Sequence, residues 1–438
     1  MQRRKLLFVA LLSSLAALPA ASQQGKAPPV TLYVEALTHS MAGMPDMGGM
    51  MGGLAGMMAR RNGGGDSSHT TYPTTRTGVT TGQYLDLALH NANKPGAEAA
   101  DQIPAGLNLG RSLQLLPITE QRPDRATRPD SPREVSTEDM EIKIVEYWGC
   151  GAAVRPGQPK VTTIKIRGGT FDPSKGPMGM QGFGVQASGQ VSRGISVADS
   201  TIGVRPGYVY WPNPRDGRKV PTGARLAGDH QISGDGIPAS MHFQVSDASD
   251  FMAKIALRTQ GELTDAVNLG WPTVAHGNAY FISAVGMQPL GEHAYQMTSW
   301  SSAEVPGAGA ALHVSMSDND VNGLLRRKVF LPATATSCVI PRGIFAGGGG
   351  RQSGMPAMLQ MSAFGPETFI TYPPKPANPK QAWNPEWSVR LRTRSTASAI
   401  LGLDMGGMQN QDDDDQQQPQ QQQQRRGMRG LLNGILGG

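Results

Sequence analysis

Cysteine is nearly absent from this chain: Cys150 and Cys338 are the only two in 438 residues. Cysteine-rich secreted scaffolds need more, and no Cys/His cluster at zinc-ligand spacing accompanies these two, so neither a disulfide framework nor a structural zinc site organises the chain. Charge is also sparse, at 17% of residues, against about 25% in ordinary globular chains. Beyond the amino terminus no segment has the roughly 20 apolar residues of a membrane-spanning helix. No stretch repeats apolar residues at i, i+3, i+4 and i+7 over more than two turns, which removes long amphipathic helices. Catalytic signatures are missing too. There is no HExxH, no His-x-His pair and no Gly-x-Ser-x-Gly elbow. No stripe of Lys and Arg interleaved with aromatics appears, which excludes nucleic acid as an expected partner.

Glycine (56) and proline (33) are abundant instead. Between them lie short runs of Val, Ile, Thr, Tyr and Phe, bounded by Gly, Pro, Asn and Asp clusters. That pattern predicts an all-β protein. Strands are expected at 30–37, 83–90, 140–148, 161–166, 208–211, 241–245, 255–259, 312–316, 358–364 and 387–393. Two β modules are expected, 28–167 and 191–403, separated by a Gly-rich linker or loop at 168–190. A Met/Gly-rich insertion occupies 39–81. The segment 404–438 runs through Asp412 to Asp415 and a glutamine tract; it cannot bury enough apolar surface to offset its ordering entropy and is expected to be disordered.

The clearest stretch is 264–302. Val267, Leu269 and Trp271 alternate with smaller or polar neighbours, 279–285 adds Tyr280 and Phe281, and 295–300 forms a third run. A Trp ending one strand and a Tyr opening the next is similar to the pattern of fibronectin type III and immunoglobulin-like domains. The resemblance implies that the modules are sandwich-like.

The amino terminus reads as an export signal: Arg3, Arg4 and Lys5, an apolar run at 6–18, then Ala20-Ala21-Ser22. Cleavage is expected before Gln23, giving a periplasmic or secreted chain. The formal net charge of +6 would fall to 37 basic against 34 acidic side chains, because the signal holds three basic residues and no acid.

Outside the cytoplasm an even cysteine count favours a disulfide between Cys150 and Cys338. Two separately buried thiols are the alternative, since nothing in the sequence brings the two turns together. Met41, Met44, Met47 and Met50 recur every third residue, with His39 just upstream. Thioethers are soft ligands that select Cu(I), whereas methionine is also a flexible apolar residue suited to adaptable contacts. Asp229, His230 and Asp235 read as a solvated Gly-rich turn, Ser240 near His242 as an unsupported nucleophile, and Asp318, Asn319 and Asp320 as surface acids. The function expected is a non-catalytic binding or structural component of the cell envelope, with an envelope protein or glycan as partner and no cofactor. A periplasmic Cu(I)-binding protein is the alternative, and a secreted hydrolase comes third.

Overall fold

Period-two alternation places one face of each strand inward, and here most strands join a single long sheet. The computed structural model describes residues 27–42, 70–77, 80–118, 139–167, 170–171, 180–181, 184–189, 194–346, 357–378 and 380–402. It is mostly strand, 45% against 7% helix, and the described residues form no closed barrel. The large sheet has eleven strands. In spatial order they are β10 (Tyr208–Trp211), β2 (Gly82–Asn91), β1 (Val30–Met41), β20 (Trp387–Leu401), β19 (Ala357–Tyr372), β15 (Ala279–Gly291), β16 (Ala294–Ser301), β5 (Met140–Trp148), β6 (Lys160–Arg167) and β9 (Gly184–Gly189), with β17 (Leu331–Pro332) also on β15. The β1–β20 and β16–β5 pairs are parallel. The sheet therefore interleaves strands from both ends of the sequence.

On one face of this sheet the core is apolar. Leu32 and Val34 of β1, Leu85 and Leu87 of β2, and Trp387, Val389 and Leu391 of β20 share one buried cluster with Leu113, Ile232 and Phe243. Those last three come from a second sheet, ordered β12 (His242–Val245), β11 (Gly228–Gly234), β3 (Ala99–Gln102) and β4 (Ser112–Leu115). Further along the same face, Tyr280, Ile282, Leu359, Met361, Ala397 and Ala399 pack with Leu257, Val267, Leu269 and Cys338. A third sheet supplies part of that layer: β13 (Arg258–Gln260), β14 (Val267–Gly270) and β18 (Ser337–Ile340). A short ladder joins β7 (Thr170–Phe171) and β8 (Met180–Gln181). Each large aliphatic side chain so buried contributes about 1.5–3 kcal/mol of transfer free energy.

The opposite face is covered by two short helices, α1 (Thr74–Thr77) and α2 (Asp318–Arg326), and by irregular chain. Val321 and Leu324 of α2 pack with Phe281, Phe330 and Phe364. The acids at 318–320 are thus the first turn of a helix. Ser317 caps it, its Oγ accepting from the Asp320 N–H at 3.2 Å. Acids in a first turn also suit the helix dipole.

Several strands differ from expectation. β1 and β20 run on to Met41 and Leu401 because their polar second halves are paired and largely buried, whereas β19 runs past its bulge to Tyr372 paired with β20 alone. No strand forms at 312–316: Ala310–Leu312 is a 3-10 helix, although Leu312 and Met316 are still buried. The runs at 267–271 and 279–285 are adjacent in sequence but enter different sheets. Trp271 and Tyr280 nevertheless meet across the layers, ring centroids 5.7 Å apart and edge to face.

Candidate functional site

In β20 the sequence Arg390-Leu391-Arg392-Thr393-Arg394 puts three guanidinium groups on the helix-covered face. Register then selects their partners. Glu35 lies opposite Arg392 on β1, and Glu367 lies opposite it on β19. Arg392 Nη1 donates to Glu35 Oε1 at 2.9 Å, and its Nη2 lies 2.7 Å from Glu367 Oε1. Arg390 Nε donates to the same Glu367 oxygen at 2.5 Å. A bulge between Phe364 and Glu367 brings that carboxylate to this face. Gly365 is required there, since a Cβ would collide with Thr393 Oγ1.

The network extends through neutral groups. Ser315 Oγ donates to Glu35 Oε2 at 2.5 Å. Arg394 donates to the carbonyl of His313 and, at 3.2 Å, to that of Thr75. Asp86 receives four bonds of 2.6–2.8 Å from the backbone N–H and hydroxyl groups of Thr74 and Thr75, which fixes α1 to the sheet. Burial pushes the Glu35 carboxyl up, against the pull of Arg392 and Ser315. Burial likewise raises Asp86, against its four donors, and pulls Arg394 below the usual guanidinium range. An ionic cluster of this kind is costly to bury and costlier to leave half-paired.

Two histidines lie on the same face. His313 sits between Ser283 Oγ at 2.9 Å and Ser362 Oγ at 2.8 Å. Burial, with the charge of Arg394, lowers its pKa to about 3, so the ring is neutral. A serine–histidine contact exists, but both ring nitrogens face hydroxyls and the group is sealed from solvent. His39 holds Thr396 Oγ1 at 2.8 Å through Nδ1. Its Nε2 is buried and has no hydrogen-bond partner among the described residues, and burial followed by the Arg394 charge lowers its pKa to about 4.

Towards the start of β1 the helical cover ends and this face changes character. Tyr208 lies opposite His90, Thr31 opposite Ser388, Tyr33 opposite Arg390, and Arg390 opposite Phe369. These residues cross five strands, about 19 Å at the usual inter-strand spacing. The rings form a connected surface: Tyr208 is 4.8 Å from His90 and 6.5 Å from Tyr33. Arg205 lies over Tyr208 at 4.7 Å and Arg390 over Phe369 at 5.0 Å. Phe369 is 60% exposed, and the other rings are half-buried.

The residues singled out from sequence are scattered. Cys150 and Cys338 form a disulfide, which ties the turn after β5 to β18. Met41 ends β1 on the face that carries His39, whereas Met44, Met47 and Met50 lie outside the described residues. Asp229 and His230 do not form a solvated turn but belong to β11. His230 is buried, Nδ1 3.0 Å from Asp101 Oδ2 and Nε2 3.0 Å from the Leu226 carbonyl. Burial pulls this imidazole down, but Asp101 outweighs it and the pKa rises. Beside it an open depression of about 400 Å³ is lined by Arg111, Asp229, Gln231 and His242. Ser240 donates to Glu386 at 2.8 Å and accepts from Trp387 Nε1 at 3.2 Å. Among the described residues no three His, Cys, Asp or Glu side chains converge as a metal-ion cluster.

Sequence reasoning missed the charged network and the aromatic ladder. A signal for the first was present: Arg390, Arg392 and Arg394 at period two within an otherwise strand-like run. The ladder had none, because its members come from distant segments. Comparisons with protein-family models, curated proteins and solved structures return no match.

Proposed function

We propose that this chain is an exported, non-catalytic binding component of the cell envelope, built on a sandwich-like β scaffold, with a glycan as its ligand. The observation that supports this reading is a contrast within one sheet face. Acidic, basic and hydroxyl groups are enclosed and paired in its middle, whereas flat rings and guanidinium planes stand half-exposed at its end. Flat rings pack well on the apolar faces of sugar rings. Thr31, Ser388 and Arg205 supply hydrogen-bonding groups beside them. Glu367 answers the charge of Arg390, which leaves little positive charge for a phosphate backbone.

Titration of the full chain with soluble envelope polysaccharides tests this. Saturable binding should weaken at least tenfold in a Tyr208→Ala/Phe369→Ala variant with an unchanged melting temperature. Binding that ignores both substitutions would remove the ladder as the ligand surface. Failure to bind any glycan, with retention of an envelope protein instead, would replace the ligand class.

A second reading, Cu(I) handling through Met41, Met44, Met47 and Met50, is favoured by one observation. Two residues before Met41, His39 presents a buried ring nitrogen with no hydrogen-bond partner among the described residues. Replacing the four methionines by Leu keeps the apolar bulk and removes the sulfurs. If the Leu variant still retains Cu(I), the methionines are contact residues instead.

A further inference from the structure

We infer that His39 Nε2 and the thioether of Met41, from the same face of the strand, form a ligand pair for Cu(I) at the end of β1; this inference rests on the copper reading above. His39 and Met41 are two residues apart on one strand, so their side chains leave the same face of the sheet. Their Cα atoms are separated by roughly 7 Å, a gap that an imidazole and a flexible thioether can close upon one ion. The His39 ring is oriented: Nδ1 lies 2.8 Å from Thr396 Oγ1, on the residue opposite it in β20. With Nδ1–H donating to that oxygen, Nε2 carries the free lone pair a metal requires. An outer hydrogen bond of this kind commonly fixes the tautomer of a ligating histidine.

The ring is 4% exposed, and burying a polar nitrogen with no partner costs free energy that a bound ion would recover. Imidazole nitrogen and thioether sulfur both suit copper, and the thioether selects its reduced form. Zn(II) and Mg(II) favour more and harder ligands than this pair provides. One charge opposes binding: Arg394 faces His39 from β20. Glu35 in turn faces Arg394 and moderates it. Coordination replaces no covalent bond and transfers no electron, since the ion is taken up as Cu(I).

The test uses the full chain, kept anaerobic with ascorbate so that the disulfide stays closed. Cu(I) is delivered in competition with a chromogenic chelator. The parent should bind one ion, and X-ray absorption should show one nitrogen together with sulfur in its shell. His39→Gln should weaken affinity at least tenfold and remove the nitrogen signal. A parent that binds through an all-sulfur shell, or a folded His39→Gln variant that binds as tightly, overturns the His39 assignment while leaving the methionine reading intact. A parent that takes up no Cu(I) overturns both.

Discussion

The two faces of β20 are a controlled comparison, because neighbouring residues on one backbone experience opposite environments. Trp387, Val389 and Leu391 enter an apolar cluster shared with a second sheet. Arg390, Arg392 and Arg394 point the other way, towards carboxylates and carbonyl groups. The apolar face is satisfied by volume and needs no particular partner, so hydrophobic residues of similar size should substitute there. The charged face is satisfied only by named atoms, and Glu35, Arg392 and Glu367 each become a liability when another is removed. The same contrast explains the aromatic ladder: where cover over the second face stops, the residues that remain are amphipathic rings and guanidinium groups.

The largest expected effect separates these two kinds of core. Arg392→Met leaves Glu35 buried without its ion-pair partner and Glu367 with Arg390 alone, and should cost about 4 kcal/mol in denaturant unfolding. The triple variant Glu35→Leu/Arg392→Met/Glu367→Leu should cost less than that single change. Equal losses in the two proteins would mean that the cluster is held by packing, and the contrast between faces would collapse. One residue away on the apolar face, Leu391→Ala should cost about 3 kcal/mol through transfer and cavity terms. Leu391→Met should cost about 1 kcal/mol or less. A large penalty for the methionine variant would show that shape matters on that face as much as partner identity does on the other.

The smallest effect is in pH dependence. His313 is neutral in the fold, its pKa lowered to about 3, while an unfolded histidine titrates near 6.5. Its contribution is therefore complete above pH 6.5 and is lost as pH falls towards 3. Between pH 6.5 and 5.5 the loss is about 1 kcal/mol. Glu35 and Asp86, raised by burial, act in the opposite sense: what they contribute when protonated is lost as pH rises through their folded values. The histidine part is isolated by subtracting a His313→Asn variant, which should show a slope flatter by that amount across the window. Leu391→Ala should leave the slope unchanged. Identical slopes in the parent and His313→Asn would indicate that His313 is charged in the fold.

Much of the β architecture was readable residue by residue. Met140–Trp148 and Tyr208–Trp211 occur with the bounds expected from their residue types, and Ala294–Ser301 contains the run at 295–300. Each of the first two has a strong β composition and a local stop, Gly149 or Pro212. Strands whose second halves are Ser, Thr and Arg extend further than their composition suggests. Polar residues normally mark a strand's exposed side or its end, and here a second layer buries them. Ser395 and Thr396 illustrate the difficulty: the two are adjacent and both buried, so alternation carries no signal there. Likewise the acids at 318–320 have the composition of a solvated turn, although Ser317 followed three residues later by Asp320 was an available sign of a helix start.

By itself the sequence determined the β class, the scarcity of helix and the positions of many strands, because these depend on short-range periodicity and on where glycine and proline interrupt it. It also contained the two cysteines, but their pairing across 188 residues required the turn after β5 and strand β18 to be brought together. Tertiary structure alone decided strand order, the parallel placement of β1 beside β20, the partners of Arg392 and the placement of Tyr33, Tyr208 and Phe369 on one sheet face. The reason is physical. Periodicity states which face of a strand is buried, but only register and layer packing state what lies opposite, and both the charged network and the candidate ligand surface are made of opposites.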